Sequence, residues 1–124
     1  MRVLSVGEDP ATVDYSKTPE GIDEAYIRKG LAKAKAEMEA KGWEVRECMV
    51  QPGLEEAVAT LKRDLASGPF DVVLLGGGLK NPPERTELLE ALVNELRTSS
   101  PNSRVAFDND PNEAPKSVAR QVRN

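Results

Sequence analysis

Apolar runs and stretches with helical periodicity alternate along the chain. Four apolar runs have strand length and contain many β-branched residues: residues 2–6, 43–50, 70–76 and 103–108. Between and after them, apolar side chains recur every three or four positions, which is typical of amphipathic helices. Three such segments run from Ile27 to Met38, Leu54 to Leu65 and Leu88 to Leu96. A short fourth segment carries Val118 and is expected to fray over residues 122–124.

This alternation predicts a three-layer α/β/α sandwich with one parallel sheet. The run VVLLGG is apolar almost throughout and belongs in the centre of the sheet, beside the first run. The run WEVRECMV carries three charged residues, which favours an edge, and the short fourth run fits the other edge. The expected strand order is 2-1-3-4, the flavodoxin-like order without its fifth strand, in a single domain over residues 1–124.

Strand 4 would have a free edge in this arrangement, where the five-stranded fold has a further neighbour. An unpaired edge favours association with another chain. A two-fold homodimer that covers strand 4 or the helix after it would remove this edge, and the pattern fits a monomer and such a dimer equally.

Composition narrows the classes of partner. The chain has 124 residues, 39% hydrophobic and 31% charged, with a formal net charge of −4. An acidic domain with 4% aromatic residues and no basic stripe is poorly suited to nucleic acid. No apolar run approaches the ~18 residues that span a bilayer, and the first residues lack a secretory signal pattern. We therefore expect a cytoplasmic protein with no nucleic-acid or membrane partner.

The residues available for catalysis are few. The chain has no histidine, which removes the commonest general base and metal ligand. Its single cysteine, Cys48, lies in the second run, where a buried inert thiol is expected. Neither a phosphate-binding G-x-x-x-x-G-K-[ST] nor a dinucleotide-binding G-x-G-x-x-G pattern occurs. We expect no cofactor and no metal centre, with a divalent cation held by Glu8, Asp9 and Asp108 as a lesser alternative.

A ligand site is expected beyond the carboxyl ends of strands 1 and 3, where the strand order reverses. The loop over residues 7–21 is far longer than the roughly two to six residues usual after a strand. The loop over residues 76–85 has three glycines that would let a ligand approach the backbone, followed by a helix expected to begin near Pro82. The candidate ligand-binding residues of this polar pocket are Glu8, Asp9, Tyr15, Gly77, Gly78, Lys80, Arg85 and Asp108.

Each candidate also has a structural interpretation. The glycines, Lys80 and Arg85 could form an anion site, or the glycines could form only a tight corner. The acidic residues could be turn and cap residues, because Asp-Pro sequences commonly begin turns. Tyr15 could be an acid, a base or an apolar plug of the sheet end.

Two segments, VGEDPATVDYS and GGGLKNPPE, resemble those of a family of short, uncharacterised cytosolic α/β proteins with flavodoxin-like topology. The resemblance implies the fold and makes the two loops a shared feature, but it implies no activity. The pair Glu8-Asp9 is also similar to the acidic pair of response-regulator receiver domains. Gly76 stands where a receiver has its phosphoacceptor aspartate, and the same acidic pair would repel the phosphate of a flavin.

Three functions remain open from the sequence. The first is a binding or scaffold domain with a polar pocket between the two loops, which takes a small polar or anionic ligand. The second is a small enzyme that acts on a polar or anionic metabolite there, using carboxylates or Tyr15 for proton transfer. The third is an interaction module that dimerises or binds a partner through strand 4 and helix 4.

Overall fold

Strands and helices alternate strictly along the chain, as the apolar pattern predicts. The computed structural model describes residues 1–122. The strands are β1 (Arg2–Glu8), β2 (Glu44–Val50), β3 (Val72–Leu75) and β4 (Arg104–Phe107). The helices are α1 (Glu24–Ala40), α2 (Leu54–Leu65), α3 (Thr86–Ser99) and α4 (Ala114–Gln121). The fraying expected at residues 123 and 124 lies outside the described residues.

The four strands form one parallel sheet in the order β2-β1-β3-β4, which confirms the prediction. All four residues of β3 are buried, in keeping with its central position. The edge strand β2 instead exposes Glu44, Arg46 and Glu47. Charged side chains reach water easily from an edge, which is why they mark the ends of the strand order.

Two apolar cores flank the sheet and make it the middle of three layers. Leu4, Val6 and the other residues on one face pack against α2 and α3. Val3, Val72 and Leu74 on the opposite face pack against α1 and α4. Cys48 belongs to the α2/α3 side, where burial raises the pKa of its thiol to about 12. The thiol therefore stays protonated at neutral pH, as expected of an inert cysteine.

Several element boundaries differ from the predicted ones, and two of these differences bear on the candidate site. β1 continues to Glu8, whose Cα still pairs with that of Val50. Helix α3 begins at Thr86 rather than near Pro82, after a 3₁₀ turn over Pro83–Arg85. The second proline holds Pro82 in an extended conformation with ψ of 128°, because a residue before proline is sterically excluded from the helical region.

The open edge of β4 persists in the structure. Among the described residues β4 pairs only with β3. Homodimerisation through this edge stays a prediction, as does the cytoplasmic location. None of the helices within residues 1–122 is long and apolar enough to cross a membrane.

Candidate functional site

A cavity of about 770 Å³ opens at the carboxyl edge of the sheet, between β1 and β3 on one side and α1 on the other. Ser5, Gly7 and Gly76 lie on the sheet side of the cavity. The α1 side consists of Ile27, Leu31, Ala34, Lys35 and Met38. Most of these α1 side chains are apolar, so the deep part of the cavity has a hydrocarbon wall.

The pleat of β1 explains why this space is open. Successive strand residues face opposite sides, so Val3, Ser5 and Gly7 all face α1. Val3 is large and fills the core, whereas Ser5 and Gly7 leave room above them. A Cβ placed on Gly7 would meet no atom within 4 Å. Leu31 of α1 is consequently only half-buried.

The loop after β1 forms a side wall of the cavity through Val13, Tyr15 and Ile22. Two 3₁₀ turns shape this loop, Pro10–Thr12 and Tyr15–Lys17. The Tyr15 hydroxyl donates a 2.7 Å hydrogen bond to the carbonyl oxygen of Pro10. Burial raises the pKa of Tyr15, so the phenol stays protonated at neutral pH. In this structure Tyr15 braces the loop.

The glycine turn after β3 is held by packing. None of its three glycines has positive φ. A Cβ on Gly77 would lie 2.7 Å from the carbonyl oxygen of Asn109, whereas one on Gly78 would meet nothing within 4 Å. The backbone N–H of Gly77 donates a 2.8 Å hydrogen bond to Oδ1 of Asp108. The backbone N–H that was predicted to bind an anion is therefore already bonded to a carboxyl group of the protein itself.

Asp108 is the most deeply placed polar group of the cavity, at 5% exposure. Its Oδ1 accepts the bond from Gly77, and among residues 1–122 no hydrogen bond reaches its Oδ2 and no ion pair reaches either oxygen. Burial raises the pKa of this carboxyl to about 6; the Gly77 bond opposes the rise, while Glu113 and Asp110 add to it. At neutral pH the carboxyl is mostly charged; Lys80 acts on it electrostatically, but within residues 1–122 no cation forms an ion pair with it.

Glu8 and Arg85 form an ion pair at the rim of the cavity. Nη2 of Arg85 lies 2.5 Å from Oε1 of Glu8, and the two side chains are 25% and 6% exposed. Burial raises the pKa of Glu8, and the guanidinium of Arg85 opposes the rise. By the pleat of β1, Glu8 shares the α2/α3 side with Leu4 and Val6. The guanidinium of Arg85 is therefore already paired with Glu8.

Replacing Arg85 by glutamine is expected to lower the free energy of unfolding by about 1 kcal/mol at pH 7.5, because it leaves Glu8 buried and unpaired. The loss should be smaller at pH 4, which lies below the raised pKa of Glu8, because the protonated carboxyl no longer needs a cation. Urea unfolding at both pH values measures this. Arg28→Gln is the control, since the Arg28–Glu24 pair is 54% and 46% exposed and should be worth less. Equal losses in the two variants would contradict the assignment.

Asp9 and Lys80 lie outside the cavity lining. Asp9 accepts hydrogen bonds from the backbone N–H of Ala11 at 3.0 Å and from Gln51 at 3.1 Å. These two bonds, led by that from Ala11, lower the pKa of Asp9. The ammonium of Lys80 donates a 2.6 Å hydrogen bond to Oδ1 of Asn109. Both side chains hold loops together.

The structure brings five of the eight candidates to the cavity: Glu8, Tyr15, Gly77, Gly78 and Asp108. It does not bring Glu8, Asp9 and Asp108 together, and residues 1–122 contain no group of three metal-ligating side chains that could hold an ion. Sequence reasoning missed Ser5, Gly7 and the apolar residues of α1 that form most of the deep wall. The sequence signal that could have revealed the cavity is the pair of small residues, Ser5 and Gly7, on the core face of a central strand.

Comparison with known proteins supports the fold and adds no function. No protein-family model matches the chain, and no curated protein does. A de novo designed Rossmann fold protein is similar in structure, with a TM-score of 0.55 and 18% sequence identity over 99% of this chain and 100% of the design. The resemblance to a family of short α/β proteins stays a prediction. The chain therefore has a small, Rossmann-like α/β fold built on a parallel sheet.

Proposed function

We propose that this protein is a binding domain for a small, largely apolar molecule, which it holds in the cavity between α1 and the sheet. The observation that carries the proposal is the cavity itself. Its volume of about 770 Å³ lies within the range typical of small-molecule sites, about 300–1,000 Å³. Such sites are mostly apolar, with a few polar groups that orient the ligand.

The small residues of β1 that face α1 support this proposal. Glycine is unfavourable inside a strand, yet Gly7 occupies a position where an added Cβ would meet no atom within 4 Å. Apolar side chains that face an open cavity also forgo burial, which is worth roughly 25 cal/mol per Å² of apolar surface. A ligand that covers the α1 wall would regain this burial.

The charges around the cavity favour a ligand different from the anion expected from the sequence. Six lining residues are acidic and two are basic. The acidic ones are Glu8, Glu20, Glu47, Glu84, Asp108 and Asp110; the basic ones are Lys17 and Lys35. This excess of negative charge would repel an anion. We propose binding rather than catalysis because Tyr15 and Glu8, two of the proton-transfer candidates, are engaged in structural contacts.

Gly7→Val tests the proposal by filling the cavity from the sheet side. The neutral fluorescent probe N-phenyl-1-naphthylamine should bind the wild type with enhanced emission, and the variant should bind it at least tenfold more weakly. Thermal unfolding should occur at the same or a higher temperature, because valine suits a strand better than glycine. Ala59→Val introduces a valine at an exposed position of α2 instead, and this variant should bind the probe normally.

Two results would overturn the proposed function. One is a wild type that does not bind the probe. The other is a folded Gly7→Val variant that binds it as tightly as the wild type, because the probe would then occupy some other surface.

A further inference from the structure

We propose that the natural ligand is an organic cation, an apolar body that carries a protonated amine, and that the amine pairs with the carboxylate of Asp108. This inference rests on the proposed function and assigns the ligand class of the same cavity. The geometry around Asp108 and the charges of the rim support it independently.

The first support is the position of Asp108 in the sheet. Following the strand register, Gly7, Gly76 and Asp108 lie side by side across β1, β3 and β4. The carboxyl group therefore borders the floor of the cavity, next to the two glycines. It is 5% exposed, and it lines the cavity as part of the same wall.

The second support is the unused hydrogen-bonding capacity of this carboxyl group. A carboxylate can accept about four hydrogen bonds, and Asp108 accepts one, from Gly77 N–H. Burial of a carboxylate is costly unless a cation or several donors compensate it. Within residues 1–122 no arginine or lysine forms an ion pair with Asp108. Every buried side-chain polar atom of the described residues has a hydrogen-bond partner, so the unbonded Oδ2 of Asp108 is open to solvent. A ligand ammonium group, with up to three donors, could reach this oxygen and replace the water there.

The third support is the electrostatic potential around Asp108. Asp110 and Glu113 lie on the turn that follows β4 and add negative charge near it. Lys80 is the cation that acts on it, and the Lys80 ammonium already donates to Asn109. Together with the acidic rim of the cavity, these groups make a negative potential that attracts a cation and repels an anion.

The deep wall specifies the remainder of the ligand. Ile27, Leu31 and Met38 of α1 offer hydrocarbon contact along the cavity. A small hydrated cation would make no favourable apolar contact with these side chains. An amine on an alkyl or aryl body matches both the wall and the carboxylate.

Three six-carbon molecules with different head groups separate the ligand classes: hexylammonium, 1-hexanol and hexanoate. Each competes with N-phenyl-1-naphthylamine at pH 7.5, and titration calorimetry measures hexylammonium binding directly. The wild type should bind hexylammonium at least tenfold more tightly than 1-hexanol, and hexanoate most weakly. Asp108→Asn should bring the amine-to-alcohol ratio to about one. Glu44→Gln, the same change of charge at the opposite end of the sheet, should keep the wild-type ratio.

Acidification provides a second readout. The amine of hexylammonium has a pKa of about 10 and stays charged, as lysine does. Protonation of Asp108 between pH 7.5 and 5 should therefore weaken hexylammonium binding about tenfold while 1-hexanol changes little. Asp110, Glu113 and Lys80 are the charged groups that face Asp108, and Asp108→Asn shows which part of the pH effect is theirs.

The outcomes distinguish this inference from the proposed function. If the probe binds the cavity but hexylammonium shows no advantage over 1-hexanol, the cation is the wrong class and the binding function stands. An advantage that survives Asp108→Asn would also overturn the pairing. If neither the probe nor hexylammonium binds by either method, the proposed function and this inference both fail.

Discussion

Gly77→Ala is expected to lower the free energy of unfolding by about 3 kcal/mol, the upper part of the range for overpacked substitutions. The added Cβ would lie 2.7 Å from the carbonyl oxygen of Asn109, which is backbone and has little freedom to move. Relief of this clash would separate the turn from the end of β4. It would also disturb the hydrogen bond from Gly77 N–H to Asp108. Urea unfolding, followed by circular dichroism, measures the loss.

Gly78→Ala is the matched control, one residue along the same turn. Its Cβ would meet no atom within 4 Å, and Gly78 does not have positive φ. We expect no change or a gain of up to about 1 kcal/mol, because alanine restricts the unfolded chain. Similar losses in the two variants would contradict the view that Gly77 is required for packing.

The effect of Asp108→Asn on stability is expected to depend strongly on pH. The free energy of unfolding of the variant, minus that of the wild type, should increase by about 2–3 kcal/mol as the pH rises from 4 to 7.5. The pKa of Asp108 is about 6 in the folded protein, against about 3.9 in an unfolded chain. Below about pH 4 the folded carboxyl is protonated and contributes its full stability. That contribution is lost as the pH rises through 6, because the buried group must ionise. Asparagine does not ionise, so the variant avoids this loss.

Asp110→Asn should show the opposite pH dependence. Burial would raise the pKa of Asp110, but hydrogen bonds from Asn112 and Tyr26 lower it overall. Its charged form therefore stabilises the fold above the unfolded pKa, and this stability is lost as the pH falls. The variant should be less stable to unfolding than the wild type at pH 7.5, and the difference should become small at acidic pH. Parallel pH profiles for the two variants, measured by urea unfolding, would contradict the charge assignments.

The sheet could be predicted from the sequence because its signals are local. Four apolar runs alternated with three amphipathic stretches and a shorter fourth segment, which is sufficient for a parallel α/β sheet. The charged residues of β2 and the continuous apolar run of β3 then placed one strand at an edge and the other in the centre. With the first run beside β3 and the short fourth run at the other edge, these features match the flavodoxin-like order 2-1-3-4.

The candidate site could be predicted only as a region. Strand order brings the carboxyl ends together, but the side toward which Glu8 and Asp108 point depends on the last residue of each strand. The first apolar run ends at residue 6, whereas β1 continues to Glu8, and the pleat of the strand directs Glu8 toward Arg85. The depth of the cavity depends on the distance between α1 and the sheet. Gly30 of α1, whose Cβ would lie 3.2 Å from Pro111, lets the helix pack closely against the turn after β4, and such a contact joins residues far apart in the sequence.

The occupancy of the cavity is the central claim, and an NMR titration tests it most directly. ¹⁵N-labelled protein would be titrated with N-phenyl-1-naphthylamine while amide shifts are followed residue by residue. Binding in the cavity predicts saturable shifts at Ser5, Gly7, Leu31 and Gly76, with none at Leu61 and Leu92 in the core on the far side of the sheet. Shifts confined to other surfaces, or no saturable shift at all, would contradict the claim.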